Sequence, residues 1–151
     1  MITIVDSYIS IPSDFCDYLS NKKTQNDILI KIVASDKLKG LMPPNTPFAC
    51  NPQTKFGDYY VVLYDETLIT YINLTYQEQL ACILHEIGHI IYKDTIFDDD
   101  VCKEMSCDNI AAEARYAESM MNALCKFSSC LTISFATLVI KGTTTEFPNC
   151  L

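Results

Sequence analysis

The chain has 151 residues, of which 49% are hydrophobic and 20% charged, a composition typical of one folded domain and not of a disordered segment. Its formal net charge of −8 disfavours binding to nucleic acid or to anionic membranes, because the Lys and Arg that would neutralise phosphate are few. We therefore expect a single domain over residues 1–151, with no direct nucleic-acid or membrane partner.

The chain start indicates a cytoplasmic protein. Residues 1–7 contain no basic region, long apolar run or small-residue cleavage site, and these three features together mark a secretory leader. The most apolar stretch, residues 131–140, is about half of the ~20 residues that a membrane-spanning helix requires. It is expected to be a buried strand or core helix.

Eight cysteines are many for such a chain, and their even number raises the alternative of a disulfide framework. Without a leader, mostly buried free thiols are the better expectation, since reduced cysteine behaves as a small hydrophobe. The pairs Cys102/Cys107 and Cys125/Cys130 are spaced more loosely than most structural zinc ligands. A second, all-cysteine zinc site is therefore a weaker alternative.

In the first third of the chain, residues 12–20 are predicted to form a short helix with Ser13 as its N-cap. Residues 25–38 are apolar, and their pattern fits a strand as well as a helix. Four prolines and two glycines mark residues 39–57 as a long irregular segment.

Residues 59–64 are β-branched or aromatic almost throughout and give the strongest strand prediction. Residues 67–72 are predicted to form a second strand across a turn. Thr75 and Glu78 then have the spacing of a capping box, in which each side chain satisfies the other's free backbone donor. The helix that they open is predicted to run from about residue 76 to 92 and to be apolar on nearly all sides, as a helix in the middle of a domain is.

An acidic loop is predicted over residues 93–107, followed by a second helix over 108–124 with Asp108 as its N-cap. The final 25 residues are apolar and favour β-structure. The core face of the second helix is predicted from apolar residues at three- and four-residue steps. These residues are Ile110, Ala114, Ala117, Met121 and Leu124.

The only two histidines, His85 and His89, stand four residues apart, with Glu86 next to the first. This is the H-E-x-x-H pattern of zinc-dependent hydrolases, in which one helix face presents both imidazoles to the metal and the glutamate serves as general base. Chance placement of two histidines on a core face is the alternative. The uncharged flanks and the capping box upstream favour a zinc site with His85 and His89 as ligands and Glu86 as the catalytic residue.

A catalytic zinc typically takes three protein ligands, and the chain has no third histidine. A carboxylate on a later helix is therefore expected, and Glu113 is the leading candidate because it borders the predicted core face. Asp108 and Glu118 are rivals, although Asp108 is expected to serve as a cap. Glu104 is a weaker rival because it precedes the predicted helix.

The donor set predicts peptide-bond hydrolysis, in which Glu86 takes a proton from water at the open zinc position and passes it to the leaving amine. Gly88 within the motif is expected to permit close packing of the helix that carries the third ligand. A further donor to the oxyanion is expected, and the sequence does not choose among its candidates. These candidates are Tyr59, Tyr60, Tyr92, Arg115 and Tyr116.

The segment Leu74–Ile91, with the tyrosine-rich strand before it, resembles the ImmA/IrrE family of metallo-endopeptidases from bacteria, phages and mobile elements. Members carry a strand, a helix with H-E-L-G-H and a following helix with E-A-[ND]-x-[FY]-A. The counterpart here is Glu113-Ala114-Arg115-Tyr116-Ala117, which is one residue shorter and lacks the Asn or Asp. The resemblance covers about residues 58–124, under half of the chain.

The resemblance implies a zincin-like α+β fold, in which a small mixed sheet packs against a buried H-E-x-x-H helix and a second ligand-bearing helix. It also implies a cytoplasmic protease that cleaves a specific protein, often a repressor, bound as an extended strand at the sheet edge. The helix-turn-helix module that family members often carry is not evident here. The alternative function is a non-catalytic regulatory or interaction domain that zinc stabilises, and a metal-free interaction domain is a second alternative.

Overall fold

The computed structural model describes residues 1–38 and 41–130, and within them an α+β architecture of five α-helices and one four-stranded mixed sheet. The predicted apolar element at 131–140 and the β-leaning end of the chain lie outside the described residues, apart from 127–130. No helix within the described ranges has the length and apolarity needed to cross a membrane.

The strands are β1 (Ile2–Ser7), β2 (Ile28–Ala34), β3 (Phe48–Cys50) and β4 (Tyr60–Tyr64). The helices are α1 (Ser13–Asn21), α2 (Glu66–Ile72), α3 (Tyr76–Ile91), α4 (Asp100–Glu113) and α5 (Ala117–Cys130).

The sheet has the strand order β1-β2-β4-β3, with β1, β2 and β4 parallel and β3 antiparallel to β4. All five residues of β4 are buried, which explains why its sequence is continuously apolar and aromatic instead of alternating. The strand predicted at 59–64 is thus confirmed. β3 forms one edge of the sheet and packs against α3, so it lies beside the H-E-x-x-H helix.

Helix α3 begins at the predicted capping box. The Glu78 amide donates to Thr75 Oγ1 at 3.2 Å, and the Thr75 amide donates to Glu78 Oε1 at 3.0 Å. Lys126 of α5 donates to the same Glu78 oxygen at 2.5 Å, which compensates the burial of that carboxylate and ties α5 to the start of α3. The helix is buried on most sides, as predicted, through Leu80, Ala81, Cys82, Ile83, Leu84, Ile87, Gly88 and Ile90.

The short helix α1 confirms the prediction at 12–20, although the residue that precedes it as N-cap is Pro12 instead of Ser13. The ambiguous segment 25–38 contains β2 and a 3-10 turn, Ser35–Lys37. Two strands, β1 and β3, were not predicted, and β3 interrupts the segment expected to be irregular.

The strand predicted at 67–72 is wrong, because these residues form α2. The Asp65 side chain accepts a hydrogen bond from the Leu68 amide at 3.0 Å and so caps the helix. Asn73, with φ of 62°, ends it in the left-handed conformation that asparagine tolerates. Local capping thus decides the structure of a segment whose β-branched composition favours a strand.

The predicted loop over 93–107 and the helix over 108–124 also require correction. Helix α4 begins at Asp100, because the Asp99 carboxylate accepts from the Cys102 amide at 2.8 Å and caps it. It ends near Arg115, whose φ of 71° breaks the helix before α5 begins. Asp108 therefore lies inside α4 and is not a cap, and Ala117 of the predicted core face is exposed.

Helices α3 and α4 meet at Gly88. A Cβ atom on Gly88 would lie 2.9 Å from Cys107 Cα and 3.0 Å from Cys107 Cβ, closer than such atoms pack. The missing side chain thus lets the two helix backbones approach, as the sequence led us to expect of Gly88. This approach sets the distance between the histidines of α3 and the side chains of α4.

We predict that Gly88→Ala lowers the free energy of unfolding by about 1–3 kcal/mol, the usual cost of overpacking a core contact. This loss outweighs the ~1 kcal/mol that alanine gains over glycine in helix propensity. Urea denaturation of the metal-free protein measures it. A variant more stable than the wild type would show that the two helices do not depend on this contact.

Candidate metal centre

His85 and His89 lie one turn apart on α3, so both imidazoles leave the helix on the same face. Their Nε2 atoms are 3.2 Å apart, and the ring centroids are separated by 4.9 Å. Both rings are half-buried. The structure thus brings together the two histidines that the sequence predicts as ligands.

Glu104 of α4 completes a group of three. Its Oε2 atom lies 3.0 Å from His85 Nε2 and 3.5 Å from His89 Nε2. Within the described residues this is the group of His, Cys, Asp or Glu side chains whose ligand atoms are close enough to hold one metal ion. We call His85, His89 and Glu104 the metal cluster.

The donor chemistry of the metal cluster fits a metal ion. Two imidazole nitrogens and one carboxylate oxygen converge, with separations of 3.0, 3.2 and 3.5 Å. Tetrahedral bonds of about 2.0–2.1 Å to a central zinc place neighbouring donor atoms about 3.3 Å apart. Three protein donors also leave a position for water or substrate, which distinguishes catalytic from structural sites.

Asp108, one turn after Glu104 on α4, orients the first histidine. The Nδ1–H of His85 donates to Asp108 Oδ1 at 2.7 Å, because a carboxylate oxygen is an acceptor. This hydrogen bond fixes the tautomer that keeps the proton on Nδ1 and directs Nε2 toward the metal cluster. Asp108 therefore contacts the ligand His85. It is not the third ligand, which was one of the alternatives that the sequence left open.

The carboxylates shift the protonation of the histidine that they contact. Burial alone lowers the pKa of His85, but its hydrogen bonds to Asp108 and Glu104 outweigh burial and raise that pKa well above the usual value. Burial likewise tends to raise the pKa of Glu104, and the two histidines reverse this and lower it. The histidines and carboxylates of this site thus stabilise each other's charged forms.

Glu86 lies beside the metal cluster without belonging to it. Its carboxyl is half-buried, and burial raises its pKa, an effect that the neighbouring His85 and His89 partly offset. A carboxylate made more basic, next to a group that can hold a metal, has the position and the chemistry of a general base.

Glu113, the predicted third ligand, is not brought to the histidines. Its Oε2 accepts from Lys22 Nζ and from the Tyr18 hydroxyl, each at 2.8 Å, and these contacts lower its pKa, the Lys22 contact most. Glu113 follows Glu104 by nine residues, which places it about half a turn away around the helix. It faces α1, whereas Glu104 faces α3.

The other candidates for the third ligand and for the oxyanion donor have different surroundings. Glu118, the other rival ligand, is exposed on α5. Among the proposed oxyanion donors, Tyr116 is buried with its ring against Phe15, and Tyr92 packs on Phe97.

The cysteines of the described ranges form no metal-binding group, so the all-cysteine site is not present there.

Comparison with protein-family models, with curated proteins and with solved structures found no match to this chain. The assignment of the metal cluster therefore rests on its geometry and donor chemistry.

We predict that Glu104→Gln weakens Zn²⁺ binding at least tenfold, whereas Glu113→Gln leaves it unchanged. The amide cannot supply the anionic oxygen that completes the metal cluster, while Glu113 contacts only Lys22 and Tyr18. Competition with a chromophoric chelator at fixed pH measures both affinities. Equal loss in the two variants would mean that Glu104 has no special role.

We also predict that Asp108→Ala weakens Zn²⁺ binding about 10–100-fold, the usual effect of removing the carboxylate that orients a ligand histidine. Asp100→Ala is the matched control, since Asp100 is exposed in the first turn of the same helix. The same competition assay applies. Unchanged affinity in Asp108→Ala would contradict the orienting role.

Proposed function

We propose that this protein is a zinc-dependent metallopeptidase that hydrolyses a peptide bond in a specific protein. His85, His89 and Glu104 hold the metal, and Glu86 is the general base. The observation that carries the proposal is the convergence of two histidines and a carboxylate, with a second, non-ligating carboxylate half-buried beside them. Two histidines and a glutamate are an established ligand set of catalytic zinc.

When bound, zinc supplies Lewis acidity that polarises a substrate carbonyl. The protein holds the metal-binding side chains in place and orients them. Asp108 fixes the His85 ring through its Nδ1 hydrogen, and the contact of α4 with Gly88 holds Glu104 opposite the histidines. Ligands fixed in this way need little rearrangement when substrate arrives.

Glu86 transfers a proton during hydrolysis. It takes one from the attacking water and passes it to the leaving amine, which would otherwise be a poor leaving group. Burial raises its pKa and so strengthens it as a base at neutral pH. A metal that served only to hold two helices together would not need this carboxylate, so Glu86 favours the enzyme over the non-catalytic alternative.

The substrate we propose is an extended segment of a cytoplasmic protein, such as a repressor. β3 is an edge strand packed against α3, so a peptide added at that edge would lie alongside the H-E-x-x-H helix. This placement agrees with the resemblance to ImmA/IrrE peptidases over residues 58–124. We propose membership of that family on the histidine helix, with Glu104 instead of Glu113 as its third ligand.

We expect Glu86→Gln to keep its zinc and to lose about 10²–10⁴-fold in hydrolysis, the usual contribution of a general base. The probe is a fluorescence-quenched library of random peptides, with zinc content measured on the same samples. Wild type that binds zinc yet cleaves no faster than Glu86→Gln would reject the peptidase and leave the zinc-stabilised interaction domain.

A further inference from the structure

The backbone groups of β3 alternate between the sheet and its free edge. In an antiparallel pair of strands, every second residue exchanges hydrogen bonds with the residue opposite, and the residues between them direct their N–H and C=O groups outward. The Asp65 amide donates to the Pro47 carbonyl at 2.9 Å, in the register of the ladder between β3 and β4. Ala49, two residues further on, therefore also faces β4. The backbone groups of Phe48 and Cys50 point away from it.

The outward groups of Cys50 are the ones open to an added strand. Within the described residues β4 is the strand that pairs with β3, so the other side of β3 is an edge of the sheet. Phe48 is buried, whereas Cys50 is half-buried. Pro52, two residues after Cys50, has no N–H to offer. Cys50 thus presents the best exposed donor and acceptor of this edge.

The Cys50 side chain fixes where these groups lie relative to the metal cluster. Its thiol donates to the backbone carbonyl of Glu86, with Sγ and O 3.2 Å apart. Glu86 follows the ligand His85 and belongs to the same turn of α3. The outward groups of Cys50 therefore lie beside the turn that carries the proposed general base and one of the proposed metal ligands.

We propose that the N–H and C=O of Cys50 bind the main chain of the substrate and set which of its peptide bonds reaches the metal cluster. This inference rests on the proposed function and names the residue at which an added peptide strand is held. Main-chain hydrogen bonds give an added strand its affinity and register, whereas the choice among sequences is left to side-chain contacts.

The first test removes the outward N–H. Cys50→Pro lacks this group, and proline is tolerated on an edge strand where the N–H faces away from the sheet. Cys50→Ala is the matched control, because it loses the same thiol and keeps the N–H. The probe is the peptide of the quenched library that wild type cleaves best. We expect its kcat/KM to be about fivefold lower in Cys50→Pro than in Cys50→Ala, mainly through KM, since one main-chain hydrogen bond is lost.

Thermal unfolding of the metal-free variants tests the direction of these groups without any substrate. Ala49→Pro removes an N–H that faces β4, so it should unfold at a lower temperature than Cys50→Pro. The reverse order would show that Cys50 faces β4. It would overturn the inference whether or not the protein is a peptidase.

A further test leaves the protein unchanged and methylates the peptide. The best-cleaved peptide is resynthesised with one backbone N-methyl group at a time, and each product is assayed with zinc-loaded wild type. We expect a loss of about fivefold at one residue besides the cleaved bond. Its two neighbours should change little, because neighbouring residues of an added strand direct their backbone groups to opposite sides.

The outcomes separate this inference from the proposed function. Equal cleavage of all the methylated peptides, or equal kcat/KM in Cys50→Pro and Cys50→Ala, would overturn the role of Cys50 and leave the proposed function intact. Wild type that binds zinc and cleaves no peptide of the library would overturn the proposed function, and this inference with it.

Discussion

The candidate site depends on the close contact between α3 and α4. Helix α3 alone carries two histidines and a glutamate, and two ligands do not make a catalytic zinc site. The contact at Gly88 and Cys107 brings α4 near enough for Glu104 to reach both imidazoles and for Asp108 to reach the first. The stripe of α4 that faces α3 thus combines small residues with the two carboxylates.

The contact between α3 and α4 also brings several ionisable side chains together where they are half-buried. Glu86, Glu104 and Asp108 lie near two histidines, and such groups are costly to bury unless they are paired. The contacts of His85 with Glu104 and Asp108 provide this pairing, and they raise the pKa of His85 and lower that of Glu104. A divalent cation binds only the unprotonated imidazole, so cation and proton compete for the same nitrogen.

Much of the fold and half of the site could be predicted where a local pattern decides the structure. Helix α3, its capping box and the buried strand β4 follow from short-range chemistry, and so does the pairing of His85 with His89. The start of helix α4 could not be predicted from periodicity, because the face that it turns toward α3 carries Glu104 and Asp108 beside Cys107 and Ala111 and so shows no continuous apolar pattern. The acidic run at 98–100 indicated a loop but caps this helix. Because the helix was predicted to begin at 108 instead of 100, Glu104 fell outside it and Glu113 became the expected ligand.

The most direct test of the metal cluster is zinc K-edge X-ray absorption of the zinc-loaded protein. We expect two imidazole nitrogens and oxygen donors at about 2.0–2.1 Å from the zinc, with no sulfur bound to it. Scattering from sulfur at about 2.3 Å would contradict this ligand set, because the zinc would then be held by cysteines and not by His85, His89 and Glu104.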